Sequence, residues 1–139
     1  MALTANRFSR MIVGDVIELS VYAGVHIYAG GFVCVNTGHG YAIPGVDASG
    51  NVCMGIAESE ADNTNGASGA IKVRIRRTGV FKMAASSIAI TSVGVVMYCQ
   101  ASAETFDETQ GGNSVKCGVL VEYISATEGW IDIGRVSSP

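Results

Sequence analysis

The sequence predicts an all-β fold, a compact β-barrel or β-sandwich built from two tandem pseudo-repeats with an N-terminal arm. Short apolar segments rich in β-branched and aromatic residues alternate with glycine-rich turns, and helical periodicity never extends beyond about ten residues. Most landmarks of residues 30–58 also return about 63 residues later. The repeated landmarks include Gly31 with Gly94 and Gly55 with Gly118.

Chain length and the position of the repeat set the expected boundaries. The chain has 139 residues, which is the size of one domain and enough to bury a core without covalent cross-links. Residues 1–13 precede the first repeated glycine and are predicted to form an arm. Residues 14–139 are predicted to form a single β domain, with pseudo-repeats at about 14–78 and 79–136.

The first pseudo-repeat contains short strands separated by turn clusters. The predicted strands are 16–21, 25–28, 32–35, 41–43, 52–57 and 71–77. The last of these gives the clearest signal, because apolar and basic side chains alternate along it. Its inner face holds Ile71, Val73 and Ile75, and its outer face carries a basic stripe of Lys72, Arg74 and Arg76.

The second pseudo-repeat follows the same plan. Its predicted strands are 80–83, 93–99, 115–123 and 130–133, with an exposed hairpin region at 104–112. The segment 84–90 is rich in alanine and could be helical. Its serines and β-branched isoleucines weaken that interpretation, because both residue types have low helix propensity.

Composition predicts self-association and no membrane partner. Hydrophobic residues make up 48% of the chain and charged residues only 15%, against about 25% charged in a typical soluble domain. Surplus apolar surface of this kind usually forms a subunit interface, so we expect a homo-oligomer. No apolar run approaches the ~20 residues of a membrane span, and the N-terminus lacks the apolar core of a signal peptide. We therefore expect the protein to be made and kept in a cytoplasm.

Four cysteines could form two disulfides, but a reducing compartment and a chain of this length favour free buried thiols. We expect these cysteines to be reduced and dispensable for folding. No two of them form a C-x-x-C pair, and neither histidine lies at a zinc-ligand spacing beside them. The sequence thus predicts no structural zinc site and no cofactor. The cysteines are Cys34, Cys53, Cys99 and Cys117.

The sequence gives no support for nucleic-acid binding or catalysis. The net charge of −3 and a pI near 5.2 provide no general attraction to phosphate. Neither a phosphate-binding G-x-x-x-x-G-K loop nor a G-x-S-x-G turn occurs. His39 is predicted to be a solvated turn histidine. The loop 62–66 resembles the start of a calcium loop, but Thr64 replaces a ligand at its third position, so a solvated loop is expected.

The order and spacing of the glycine-aliphatic landmarks resemble those of the capsid decoration (cement) proteins of tailed bacteriophages, a family sometimes labelled as a phage recombinase. The resemblance covers residues 14–134. The absence of a nucleotide-binding loop gives the recombinase label no support. The segments that carry the resemblance are 14–19, 30–35, 54–57, 79–81, 93–98, 117–120 and 130–133.

The resemblance implies a β-barrel-like subunit, frequently trimeric, on the outside of an icosahedral head. There it would reinforce joints between major capsid proteins, which makes the major capsid protein the expected partner and the virion the expected location. Such a protein needs no active site. Two alternatives stay open: another virion structural module, such as a tail, fibre or spike component, and a β-barrel that binds a small ligand or a glycan.

Two segments are candidate contacts with the capsid or a neighbouring subunit. The arm offers a basic pair and two large apolar side chains, and we expect it to become ordered only on binding. The basic stripe on the strand 71–77 is the competing site. The arm residues are Arg7, Phe8, Arg10 and Met11, and the stripe residues are Lys72, Arg74 and Arg76.

Overall fold

The computed structural model describes residues 15–109 and 112–134, and over these ranges the all-β prediction is confirmed. Twelve strands and one short 3-10 turn, Ile90–Ser92, make up the regular structure of the described residues. The strands are β1 (Val16–Ser20), β2 (His26–Ile27), β3 (Phe32–Asn36), β4 (Ala42–Pro44), β5 (Asn51–Ala57), β6 (Ala61–Asp62), β7 (Lys72–Arg76), β8 (Val80–Ala85), β9 (Val96–Cys99), β10 (Thr105–Asp107), β11 (Lys116–Ser125) and β12 (Glu128–Asp132).

The first half of the described chain forms a five-stranded antiparallel sheet in the order β1-β7-β5-β3-β4. The two edge strands of this sheet are β1 and β4. Val21, just after β1, forms a parallel bridge with Ala42, the first residue of β4. The short strands β2 and β6 form a separate two-stranded sheet. The first sheet is therefore curved back almost onto itself.

The second half forms a closed five-stranded barrel in the order β8-β12-β11-β9-β10. Its neighbouring strands pair antiparallel, except that β10 returns to β8 in a parallel pair that closes the barrel. Closure removes the exposed sheet edges at which other chains could add. The second half is thus a barrel and the first half a curved sheet.

The strand orders of the two halves are the same when β1, β3, β4, β5 and β7 are matched with β8 to β12 in chain order. The parallel bridge of the first sheet then corresponds to the parallel pair that closes the barrel. The tandem pseudo-repeat stays a prediction, and this agreement of topology favours it.

Strand β3 is buried on both faces and lies where the two halves meet. Phe32 and Cys34 pack into the larger core, which consists mainly of barrel residues, whereas Val33 packs into the smaller core of the first sheet. Successive side chains of a strand point to opposite faces, so one strand can serve both cores. This explains why residues 32–35 are continuously apolar rather than alternating.

Strand β7 has the alternation predicted from its sequence. Val73 and Ile75 are fully buried, while Lys72 and Arg74 are exposed. The alanine-rich segment 84–90 is not a helix: β8 runs to Ala85, and the 3-10 turn begins only at Ile90. Among the described residues, no helix is long and apolar enough to cross a membrane.

The polar loop after β5 differs from the solvated loop expected at this position. It contains β6, and Asn63 beside that strand is 2% exposed. The Asn63 amide nitrogen donates to the backbone carbonyls of Val21, Tyr22 and Ala67 at 3.3, 3.0 and 3.0 Å. Buried carbonyl oxygens need donors of this kind, so Asn63 fixes the loop against the first sheet.

Replacement of this amide tests its role. We expect Asn63→Asp to lower the free energy of unfolding by about 2–3 kcal/mol, because a carboxylate of nearly the same shape would face carbonyl oxygens with no hydrogen to donate. Urea denaturation followed by circular dichroism would measure the change. Asn65→Asp, at an exposed position of the same loop, is the matched control and should change the stability little. Equal effects of both substitutions would contradict the assignment.

Candidate functional site

Of the two contact segments expected from the sequence, the structure describes only the basic stripe. The arm, with Arg7, Phe8, Arg10 and Met11, lies outside the described residues. Its role as a contact stays a prediction. The basic stripe lies on β7, where the structure shows its surroundings.

Acidic side chains partly neutralise the basic stripe. Glu58 lies 3.1 Å from the Arg76 guanidinium and 3.6 Å from that of Arg74. In addition, Glu18 of β1 lies directly opposite Arg74 in the strand register. Exposed ion pairs of this kind contribute little to stability, but they cancel charge locally. The outer face of β7 is therefore a surface of mixed charge rather than a purely basic one.

An exposed apolar strip follows one side of the barrel, and sequence reasoning did not single it out. The segment 88–95 runs beside β11: the Ile88 N–H donates to the Ala126 carbonyl, and the Leu120 N–H donates to the Val95 carbonyl. We define the apolar strip by four aliphatic side chains on this segment and on β11. They are Ile90, Val93, Val95 and Ile124, which are 66%, 43%, 38% and 41% exposed.

A cavity of about 540 Å³ opens between the first sheet and the loop that leads to β10. Its lining includes His26 and Tyr28 on one side and residues 101–104 on the other. The His26 ring stacks on Tyr28 with centroids 4.0 Å apart, and its Nε2 lies 2.5 Å from a carboxylate oxygen of Glu60. An aromatic pair beside a carboxylate can recognise a small polar ligand.

The turn context of His39 predicted a solvated side chain, but its ring makes two contacts within the protein. Its ring stacks on Tyr22, with centroids 3.9 Å apart and planes 4° from parallel. The backbone N–H of Tyr41 donates to its Nδ1 at 3.0 Å, which leaves the ring proton of the neutral form on Nε2. These contacts give His39 a structural role in holding the turn against Tyr22.

Residues 62–64 form a hydrogen-bonded turn. Asp62 accepts hydrogen bonds from the hydroxyl and the backbone N–H of Thr64 at 2.5 and 3.0 Å. These two hydrogen bonds lower the pKa of Asp62 below its usual value, and the bond from the hydroxyl has the larger effect. Together with the inward-pointing amide of Asn63, these bonds explain the turn without a bound ion.

The cysteines are free thiols, in agreement with the expectation of reduced residues, but their placement was not foreseen. The sulfur atoms of Cys34, Cys53 and Cys99 all lie within 4.8 Å of one another. Cys34 and Cys53 are partners in the register of β3 and β5, and Cys99 is the last residue of β9. Cys117 on β11 adjoins Cys99. We call these four residues the thiol cluster.

The thiols change one another's acidity. The pKa of Cys34 is raised, mainly because the thiol donates a hydrogen bond to Cys53. A hydrogen bond to Cys99 and burial of the thiol raise it further. The pKa of Cys53 is lowered, because Cys34 and Cys99 donate S–H hydrogen bonds to its sulfur and the Gly55 backbone N–H also bonds to it. Burial is the main cause of the raised pKa of Cys117. The Cys53 sulfur is therefore the hydrogen-bond acceptor at the centre of these contacts.

Soft metal ions bind thiolates, so the thiol cluster is the place where the described residues could hold one. Sequence reasoning missed the cluster because it searched for closely spaced ligands, whereas these cysteines come from different strands. The sequence did contain a signal for the cluster, namely the positions of the cysteines relative to the predicted strands. Each cysteine lies in or beside a predicted strand of one of the two repeated units, and strands of both units must face a common core.

Comparison with known proteins identifies a family. A family model described as phage cement protein matches residues 11–136, which include all the strands that the structure describes. No curated protein matches the chain. The family match covers most of the chain and agrees with the resemblance noted in its glycine-aliphatic landmarks. The chain therefore belongs to the phage cement protein family and has a structural role associated with the phage capsid.

Proposed function

We propose that the protein decorates the outer surface of a phage capsid and stabilises it by bridging major capsid proteins. The match to the cement protein family along residues 11–136 is the observation that carries this proposal. The closed barrel and the curved sheet are joined by packing, since side chains of β3 enter both cores, and together they supply a rigid body that suits such a bridge. A bridging protein needs complementary surfaces but no catalytic residues, and we propose that it is not an enzyme.

The decisive experiment adds the purified protein to capsids that lack it. We expect saturable binding with a fixed number of copies per capsid, and an increase in the temperature at which the capsids release DNA or lose their shells. Binding without an increase in capsid stability would contradict the cement function. Binding to tails or fibres instead of heads would favour the alternative of another virion module.

The cavity beside His26 and Tyr28 favours the second alternative, a barrel that binds a small ligand or a glycan. Tyr28 is 65% exposed, so its ring is accessible for stacking on a sugar. Glycan-array binding by wild-type protein that is lost in Tyr28→Ala, with capsid binding unaffected, would support this function in addition to decoration.

We further propose that the protein forms a homotrimer through the apolar strip. Exposed aliphatic clusters of this kind mark interaction sites on soluble proteins. Self-association would cover the strip and account for the low charged fraction of the chain.

Substitution of Ile90 tests the trimer. We expect Ile90→Lys to give monomers in sedimentation velocity at micromolar concentration, because three lysines would each have to be desolvated at the interface. Val52→Lys is the matched control: Val52 is 50% exposed on β5 of the first sheet and is not part of the strip, so its substitution should leave the trimer intact. A monomeric wild-type protein, or dissociation by Val52→Lys instead, would contradict the assignment of the strip.

A further inference from the structure

The thiol cluster has the composition and position of a metal site. Its three mutually close sulfurs come from β3, β5 and β9, and Cys117 on β11 adjoins the third. Two of these strands belong to the first sheet and two to the barrel. A ligand shared by all of them would connect the two halves of the fold at their common core.

We propose that Cys34, Cys53 and Cys99 form a thiolate site for a soft divalent cation of the Zn²⁺ class, with Cys117 as the fourth ligand. Zn–S bonds of about 2.3 Å place the sulfurs of a tetrahedral site about 3.8 Å apart. The separations within 4.8 Å therefore need only a small contraction, which rotation of the cysteine side chains can supply.

The electrostatics of the cluster favour a cation over bare thiolates. Cys34 and Cys99 are fully buried, so an ionised sulfur among them would be poorly solvated without a counter-charge. The Cys53 sulfur accepts a hydrogen bond from the Gly55 backbone N–H, and hydrogen bonds of this type also support metal-bound sulfur. Each thiol that binds the cation releases its proton to water, and no electron is transferred.

The location of the cluster argues against packing as its sole role. Aliphatic side chains would fill the same space without mutual S–H contacts, and the rest of the larger core consists mainly of apolar residues without thiols, for example Leu120 and Ile131. A metal ion bound by both halves would oppose their separation during unfolding. The inference concerns the fold and is independent of whether the protein binds capsids.

Titration of the full-length reduced protein with Cd²⁺ tests the site. Cd²⁺ has the same ligand preference as Zn²⁺ and gives an ultraviolet sulfur-to-metal charge-transfer band. We expect this band to saturate at one ion per chain, native mass spectrometry to show one bound Cd²⁺ or Zn²⁺, and the midpoint of thermal unfolding to increase by at least about 5 °C. The chelator EDTA in excess should reverse the increase.

Variants assign the ligands. Cys53→Ser should weaken Cd²⁺ binding by more than about 100-fold, because it removes one of the three mutually close thiolate ligands. Met97→Leu, in the same core but without loss of a thiol, is the matched control and should keep one bound ion. Cys34→Ala provides a second ligand deletion if Cys53→Ser does not fold, and circular dichroism checks both.

Three outcomes would overturn the proposal. The first is wild-type protein that binds no Cd²⁺ or Zn²⁺ under reducing conditions. The second is Cys53→Ser and Cys34→Ala proteins that bind as tightly as Met97→Leu. The third is a purified protein whose mass is lower by two hydrogens, with Cys34 and Cys53 joined in a peptide digest, because a disulfide between these register partners would remove two ligands.

Discussion

Deletion of residues 1–10 is expected to abolish capsid decoration while leaving the circular dichroism spectrum and the oligomeric state unchanged. Every strand in the described part of the chain begins after this segment, and we expect the two cores to close without it. The deleted segment contains Arg7 and Phe8 of the arm, which can meet an acidic surface and fill an apolar pocket. Ordering of the arm on the capsid would cost conformational entropy and so limit the affinity gained. Cosedimentation with undecorated capsids measures the effect.

The matched control replaces the basic stripe by alanine at Lys72, Arg74 and Arg76 together. Because Glu58 already pairs with both arginines, we expect this triple variant to reduce capsid affinity by less than about tenfold, or 1.4 kcal/mol. The opposite pattern is equally clear. A truncated protein that still saturates capsids, combined with a triple variant that does not, would show that the stripe and not the arm makes the contact.

Gly55→Ala is expected to lower the free energy of unfolding by about 3 kcal/mol or more. A Cβ at this position would overlap the backbone carbonyl oxygen of Arg76 on β7. A backbone φ of 149° at Gly55 adds strain for any other residue. The new Cβ is attached directly to the β5 backbone and would meet the β7 backbone. Neither strand can therefore move away without breaking residue pairs between β5 and β7.

Gly40→Ala separates the overlap from the conformational strain. Gly40 has a φ of 80°, but a Cβ at this position would have open space within 4 Å. Its substitution should therefore cost only about 1–2 kcal/mol, the cost of a left-handed conformation. Urea unfolding of both variants compares the two effects. Equal losses would mean that the close approach at Gly55 relaxes at little cost.

Gly118 repeats the situation of Gly55 in the barrel. A Cβ there would lie 2.7 Å from the carbonyl oxygen of Asp132 on β12. Both glycines lie near irregularities in strand pairing, between β3 and β5 and between β9 and β11. Their equivalent places in the two strand orders supply a physical reason for the repeated glycine in the sequence: each strand passes too close to a neighbouring backbone to carry a side chain.

The sequence by itself determined the fold class, most strand positions and the family resemblance. Alternation along β7 correctly placed Val73 and Ile75 in the core, because the period of a strand is a local property. The continuous apolar run at β3 likewise reflects burial on both faces. By contrast, β6 was missed, since its two residues carry no periodic signal and are held by pairing with His26 and Ile27.

Only the tertiary structure decided which distant residues meet. Glu58 directly follows β5, and no local pattern marks it as a partner of β7, yet it neutralises part of the basic stripe. Cys34, Cys53 and Cys99 share no sequence spacing, yet their sulfurs converge. Local patterns encode which face of a strand is buried. The partners of that face depend on strand order, register and closure, which arise from packing of the whole chain.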